Sequence, residues 1–183
     1  MRTKFFIAII MLAFTMSASA DEDKYDIGNY LEHASRVVSP NVDYFFISKM
    51  MISMTNGDKS VLGLTLGEMR KSIDFIRSVN ITSNETQQEI DLIRGADELA
   101  TRVYKQYGYK SIVVSGKAGK RFYLFGKYKD GEEQHGMSSL LLVITNREID
   151  AATQKPVLTG ANVCLMGGEF TYENLQFLLN QIQ

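Results

Sequence analysis

The residue types that most often carry chemistry are sparse in this sequence, and their spacing does not form a catalytic set. The two histidines, His33 and His135, lie far apart in polar stretches. A zinc site needs about three or four converging ligands, and neither a His-x-x-x-His pair nor a cysteine pair is present. Ser48 and Lys49 are adjacent, so on a helix their side chains point about 100° apart and cannot form a serine–lysine pair. We therefore expect surface histidines, no catalytic residue, no metal site and no cofactor.

Two polar segments have a superficial likeness to functional motifs. The run Gly116-Lys117-Ala118-Gly119-Lys120 is rich in glycine and lysine, as phosphate-binding loops are. It lacks the Gly-x-x-x-x-Gly-Lys-Ser/Thr spacing and precedes a strand pattern instead of a helix, so we predict a hairpin turn. Glu132 and Glu133 lie in a turn next to glycine, where we expect solvated charges and not a catalytic carboxylate pair.

The sulfur-containing side chains allow two interpretations. Thioether groups bind Cu(I), and Met50, Met51 and Met54 are clustered, with Met50 and Met54 on one helix face. Methionine is more often an adaptable core residue, and no histidine or cysteine accompanies the cluster. Core packing is therefore the favoured interpretation, and a Cu(I) site is the alternative. Cys164 lies in an apolar run and has no second cysteine for a disulfide, so we predict a buried hydrophobic residue.

The N-terminal residues 1–20 are typical of a cleavable secretory signal peptide. Arg2 and Lys4 supply positive charge before an uncharged, almost wholly apolar run over residues 5–16. This run is shorter than the roughly 20 residues that span a bilayer, so a membrane anchor is the less favoured interpretation. A lipoprotein is also disfavoured, because the single cysteine is far from the N terminus.

The cleavage site is predicted from small residues. Ala18 and Ala20 flank Ser19 in the small-x-small pattern that signal peptidase recognises, and the polar Asp21 follows. We expect the mature chain to begin at Asp21, to have no stable membrane anchor after cleavage, and to be periplasmic or secreted.

The composition indicates one ordinary globular domain over residues 21–183. Apolar residues make up 45% of the chain and charged residues 22%, values that argue against disorder and against a repetitive protein. The formal net charge is −1 and the isoelectric point is near 6.1. The whole molecule therefore has no electrostatic reason to bind nucleic acid.

The first half of the mature chain alternates helix and strand patterns. Helices are expected where apolar residues repeat every three to four positions, or where helix-forming residues end at a turn signal. Strands are expected where β-branched and aromatic residues cluster. The predicted helices cover residues 27–38, 48–55 and 86–106, and the predicted strands cover residues 42–47 and 72–79.

The second half changes to a period of two. Strands are predicted over residues 110–115, 120–128, 137–145 and 157–166, and their short connections favour an antiparallel four-stranded meander. Leu140 to Ile144 is apolar on both alternating faces, so this strand is expected to be central and covered on both sides. Thr171 is a good N-cap for a final helix. The predicted class is α+β, with a largely antiparallel sheet packed in layers with helices.

One strand offers a candidate surface for a partner. Between Lys120 and Lys129, alternation places Phe122, Leu124 and Tyr128 on one side as the core face. The other side combines two aromatic rings with cations, a mixture that is enriched at recognition sites. The candidate partner-binding residues are Arg121, Tyr123, Phe125, Lys127 and Lys129. The alternative is that the two rings lie under another helix and that only the cations are solvated.

Several of these segments together resemble the DUF4252 family, a set of uncharacterised exported proteins found mainly in Bacteroidetes. The resemblance is carried by residues 42–51, 72–79 and 123–129, and best by residues 139–144 and 157–160 leading into the final helix. It covers essentially the whole mature chain. The resemblance implies a cell-envelope location without a known activity. Members are often lipoproteins, and this sequence departs from them because it lacks an N-terminal cysteine.

These observations leave two functions open. The favoured one is a non-catalytic binding or signalling-accessory domain of the cell envelope, with an envelope protein as its partner. The alternative is an envelope enzyme of hydrolase type, whose site is assembled from residues that are distant in sequence. A deep pocket with converging polar groups and shifted pKa values would favour the enzyme, whereas a flat surface rich in aromatic residues would favour binding.

Overall fold

The computed structural model describes residues 26–54, 60–61, 64–117, 119–131 and 136–182. The predicted signal peptide, with Ala18 and Ala20, lies outside the described residues. So do His135, Glu132 and Glu133.

The described residues contain short and long helices around one large sheet. The helices are α1 (Ile27–Ser35), α2 (Lys49–Ser53), α3 (Gln87–Gln106) and α4 (Tyr172–Ile182). The strands are β1 (Val42–Ser48), β2 (Ser60–Val61), β3 (Leu64–Thr65), β4 (Ile73–Ile81), β5 (Tyr109–Lys117), β6 (Lys120–Tyr128), β7 (Met137–Ile149) and β8 (Pro156–Phe170). Two 3₁₀ segments, Gly67–Ser72 and Lys129–Gly131, connect them.

The main sheet is antiparallel, and its described strands follow the order β1-β4-β8-β7-β6-β5. The predicted meander is confirmed as β5 to β8. The sheet has six described strands rather than the four of the meander, because β8 pairs on its other side with β4, and β4 pairs with β1. This arrangement confirms the α+β class and gives every strand between the two edges a neighbour on each side.

Helices cover both faces of the sheet. On the first face, α1 and α3 pack on β1, β4 and the meander, and the buried side chains include Leu31 from α1 and Ile93 from α3. On the second face, α2, the first 3₁₀ segment and α4 bury a separate cluster that includes Ile52, Met69 and Leu175. The result is three layers, with the sheet in the middle.

The central strand β7 contributes to both clusters, as its sequence predicted. Leu141 and Val143 belong to the first face, and Leu140 and Leu142 belong to the second. Successive side chains of a strand point to opposite faces, so a run that is apolar at every position is buried only when both faces are covered.

Candidate functional site

An open cleft of about 900 Å³ lies at the end of the sheet where β4 and β7 begin and β1 and β8 end. Its walls come from the first residue of α2, the end of the first 3₁₀ segment, the start of β4, the connection after β6, and the junction between β8 and α4. Most of the side chains that define it are charged, and we call it the charged cleft. Its defining residues are Lys49, Lys71, Asp74, Lys129, Glu169 and Tyr172.

Ion pairs run along this cleft. Lys49 Nζ donates a hydrogen bond to Asp74 Oδ1 at 2.7 Å, and Lys129 Nζ donates to Glu169 Oε1 at 2.7 Å. Lys71 pairs with Glu68 in the adjoining 3₁₀ segment. All three pairs are exposed to solvent. The cleft therefore presents lysine and carboxylate charges side by side at an open surface.

Two groups in the cleft, Lys49 and Glu169, have pKa values shifted toward their ionised forms. The hydrogen bond and charge of Asp74 raise the pKa of Lys49, and Glu169 adds a smaller effect in the same direction. The hydrogen bond and charge of Lys129 lower the pKa of Glu169. Lys49 and Glu169 consequently stay charged at neutral pH. A general acid or base works best with a pKa near the operating pH, so the arrangement suits electrostatic recognition better than proton transfer.

The close approach of β8 to the start of β4 brings these charges together. Gly168 pairs with Ile73, and a Cβ atom at Gly168 would lie 2.0 Å from the carbonyl oxygen of Ser72. Only glycine permits this contact, which places Glu169 beside β4. After Phe170, the Oγ1 of Thr171 accepts a hydrogen bond from the backbone N–H of Asn174 at 3.3 Å. This cap, predicted from the sequence, starts α4 at the edge of the cleft.

The residues predicted to bind a partner do not form one exposed surface. Tyr123 is 7% exposed and Phe125 is 1% exposed, and both belong to the buried cluster of the first face, together with residues of α1 and α3. The expectation that these rings are exposed is therefore wrong, because the sheet is covered on both faces. Arg121 and Lys127 are exposed, whereas Lys129 belongs to the charged cleft. The structure agrees with the alternative interpretation of this strand, in which the rings are covered and the cations are solvated.

The methionines of α2 also differ from the favoured interpretation. Met50, Met51 and Met54 are exposed, so the expectation that they fill the core is wrong. The helix is only five residues long, and Ile52 is its buried residue. A single turn of helix presents one narrow side to the sheet, which leaves the neighbouring positions in solvent.

Three further predictions can be compared with the structure. His33 is exposed on α1, as expected for a surface histidine. Cys164 is buried, and this burial raises the pKa of its thiol to about 12. The hairpin between β5 and β6 is confirmed, and its Gly119 has a φ of +78°. A Cβ at Gly119 would lie 2.6 Å from the carbonyl oxygen of Arg147, so the glycine fits this turn and its close neighbour.

One buried carboxylate, Glu89, was not among the residues predicted from the sequence to be functional. Glu89 is fully buried at the start of α3, where Oε2 accepts hydrogen bonds from the backbone N–H groups of Glu85 and Thr86, both at 2.9 Å. Its Oε1 accepts from Ser39 Oγ at 2.6 Å and from Asn41 Nδ2 at 3.2 Å. These bonds lower the pKa of Glu89 to about 2. The pattern Thr86-x-x-Glu89 is a capping box, a signal that can be found in the sequence alone.

Metal-binding clusters and membrane-spanning helices are both absent from the described residues. No group of three or more His, Cys, Asp and Glu side chains is arranged to hold a metal ion in that part of the chain. None of its helices is both long enough and apolar enough to cross a membrane.

Comparisons with known proteins give no match for this chain. No protein-family model matches the sequence, and searches of curated proteins and of solved structures also find no match. The resemblance to the DUF4252 family stays a prediction.

Proposed function

We propose that this protein is an exported, non-catalytic binding domain of the cell envelope, and that its charged cleft binds a charged segment of an envelope protein. The observation that carries the proposal is the grouping of exposed lysine–carboxylate pairs around an open cavity of about 900 Å³. These pairs come from segments that are distant in sequence and meet at one end of the sheet.

The exposure of the pairs favours a role in binding over a role in stability. Exposed ion pairs contribute little to folding, because water and salt screen them and two long side chains must be ordered. Along a cleft, the same charges fix the orientation and register of a partner and discriminate against partners of the wrong charge. When a charged partner segment binds, Lys129 or Glu169 would leave its present ion pair and pair with an opposite charge of the partner.

The directions of the pKa shifts favour binding over the enzyme alternative. The cleft is not a flat aromatic surface, which would favour binding. Its converging polar groups are a feature that would favour an enzyme. Its shifted groups, Lys49 and Glu169, are nevertheless moved away from neutrality and held as ions. Groups held as ions suit electrostatic recognition, whereas a general acid or base works best with a pKa near the operating pH.

The test is quantitative crosslinking and affinity capture from the native envelope with two matched variants. Lys129→Glu reverses a charge in the charged cleft, and Lys127→Glu makes the same change in net charge at an exposed position outside it. We expect Lys129→Glu to lose the partner captured by the wild type, with a thermal midpoint close to that of the wild type. We expect Lys127→Glu to keep the partner.

The reverse pattern would count against the cleft. Loss of capture by Lys127→Glu alone would instead support a surface on the outer part of β6, as the sequence first suggested. If both variants capture every wild-type partner, neither surface binds them.

Export is tested separately by the intact mass of the protein recovered from the envelope or the medium. We expect a mass that begins at Asp21. A chain that retains Met1, or one that carries a lipid adduct, would contradict this part of the proposal without bearing on the cleft.

A further inference from the structure

The exposed methionines of α2 and of its C-cap position have no structural role that the fold explains. Met50, Met51 and Met54 are 66%, 53% and 70% exposed, whereas Ile52 between them is 1% exposed and anchors the helix. Single exposed apolar residues are ordinary on protein surfaces. Three of them on one helical turn, all with thioether side chains, form a distinct chemical feature.

The backbone of α2 and of its C-cap residue brings Met54 next to both Met50 and Met51. The N–H of Met54 donates to the carbonyl oxygen of Met50 at 3.3 Å, which closes a full helical turn between them. Met54 is thus four residues from Met50 and three from Met51, and side chains at these spacings are neighbours, about 5–6 Å apart at Cβ. Met50 and Met51 are adjacent and start about 100° apart on the helix. Each methionine has three rotatable bonds beyond its backbone, so both sulfur atoms can reach that of Met54 from either side.

We propose that Met50, Met51 and Met54 form a Cu(I)-binding site with three thioether ligands. Thioether sulfur is a soft, neutral ligand, and among the common biological metal ions it selects Cu(I) over Zn²⁺, Mg²⁺ and Ca²⁺. The adjacent Lys49 is paired with Asp74, so its positive charge is compensated next to the site. The three proposed ligands lie outside the residues that define the charged cleft, so the inference stands or falls independently of the proposed function.

The chemistry of the ligands gives a specific signature. A thioether has no proton to lose, so its affinity for Cu(I) does not change between about pH 5 and pH 7.5. Imidazole and thiol ligands must be neutral or deprotonated to bind, and their sites weaken as the pH falls. The buried Cys164 has a thiol pKa of about 12 and is not accessible in the folded protein.

The experiment is an anaerobic titration of the purified protein with Cu(I) in competition with a chromophoric Cu(I) chelator. The test variant carries Met50→Leu, Met51→Leu and Met54→Leu, which keep the exposed apolar surface and remove only the sulfur atoms. The control is Met166→Leu, which removes a buried thioether. We expect the wild type and the control to take one Cu(I) per chain from the chelator, and the triple variant to take none.

A second measurement needs no variant. In the wild type labelled at the methionine methyl groups, titration with Ag(I), a redox-inert analogue of Cu(I), should shift the resonances of the three exposed methionines. The resonances of the buried Met69, Met137 and Met166 should stay in place. The proposal is overturned if the wild type takes no Cu(I), if the triple variant binds as well as the wild type, or if the affinity falls steeply at pH 5.

Discussion

The two faces of the sheet are closed in different ways. On the first face, α3 is a long helix with a capping box, and α1 packs beside it, so their apolar stripes cover most of the meander. On the second face, the cover consists of the short α2, a 3₁₀ segment and α4. The first face is covered by these two helices, whereas the second leaves the charged cleft and the exposed methionines at its margin.

Polar groups are used differently on the two faces. On the first face several of them are paired within the protein: Glu89 accepts four hydrogen bonds, Tyr30 Oη donates to the carbonyl oxygen of Leu92 at 3.0 Å, and Arg147 pairs with Asp97 at 2.7 Å in partly buried positions. At the end of the second face, the charges of Lys49 and its neighbours are exposed. The first face therefore stabilises the fold, and the second retains groups that are available to other molecules.

The largest effect is expected for Leu142→Asp, which places a charge under the second face in the middle of β7. Leu142 is buried between Leu124 and Cys164 on the neighbouring strands, so the carboxylate would have neither water nor a partner. We expect the variant not to fold, as measured by the loss of a cooperative thermal transition. Met51→Asp, on the exposed side of α2, should keep a transition near that of the wild type. A cooperative transition in Leu142→Asp would show that the second face is not closed over β7.

The next effect concerns Cys164, which lies in the same buried cluster. With a thiol pKa of about 12 in the folded state and about 8.5 in the unfolded state, its thiolate fraction at pH 8 falls on the order of a thousandfold on folding. We expect alkylation of the native protein to be slower by at least this factor than alkylation in denaturant, as followed by mass spectrometry. Rapid labelling of the native protein would mean that the second face opens as far as its central strands.

The third effect is a pH dependence that arises on the first face. The folded-state pKa of Glu89 is about 2, below the unfolded value of about 4.3, so its carboxylate stabilises the fold above the unfolded pKa. This contribution is lost as the pH falls from about 4.5 toward 2. We expect Glu89→Gln to lower the thermal midpoint by several degrees at pH 7 and to have much less effect near pH 2.

The matched control is Glu98→Gln on the same helix, which removes a carboxylate without the hydrogen bonds of the capping box. A difference between Glu89→Gln and the wild type that is the same at pH 7 and pH 2 would contradict the assignment, because it would not follow the ionisation of Glu89.

The parts of the fold that were predictable from the sequence are those with a strong local signal. The apolar run from Leu140 to Ile144 predicted a central strand, and Thr171 predicted the start of α4, because both signals depend only on nearby residues. Tyr123 and Phe125 show the limit of such reasoning. Alternation along β6 separates two faces, but it does not say that helices distant in sequence cover both of them.

The charged cleft could not be predicted because its residues converge only in the folded chain. Lys49 and Asp74 meet through the pairing of β1 with β4, and Lys129 meets Glu169 through the approach of two chain segments at the same end of the sheet. Lys129 was predicted to bind a partner, but together with Tyr123 and Phe125. In the structure the two rings lie on a buried face and Lys129 lies in the cleft. The clustering of Met50, Met51 and Met54 was visible in the sequence. Their exposure was not, because it depends on which side of this short helix packs on the sheet.

The smallest effect, at Gly95, tests how tightly the first face is closed. Gly95 lies inside α3, where replacing glycine with alanine ordinarily stabilises a helix by about 1 kcal/mol. Here the added Cβ would lie 3.1 Å from Cε2 of Tyr30, whose hydroxyl is bound to the carbonyl oxygen of Leu92. Overpacking a core costs about 1–3 kcal/mol, so we expect Gly95→Ala to lower the free energy of unfolding by about 1 kcal/mol in denaturant titrations.

In a Tyr30→Phe background the ring is released from Leu92 and can move by a few tenths of an ångström, so the same substitution should cost less or become stabilising. If Gly95→Ala stabilises the protein equally in both backgrounds, the packing of α1 on α3 is looser than the contact between Tyr30 and Gly95 indicates.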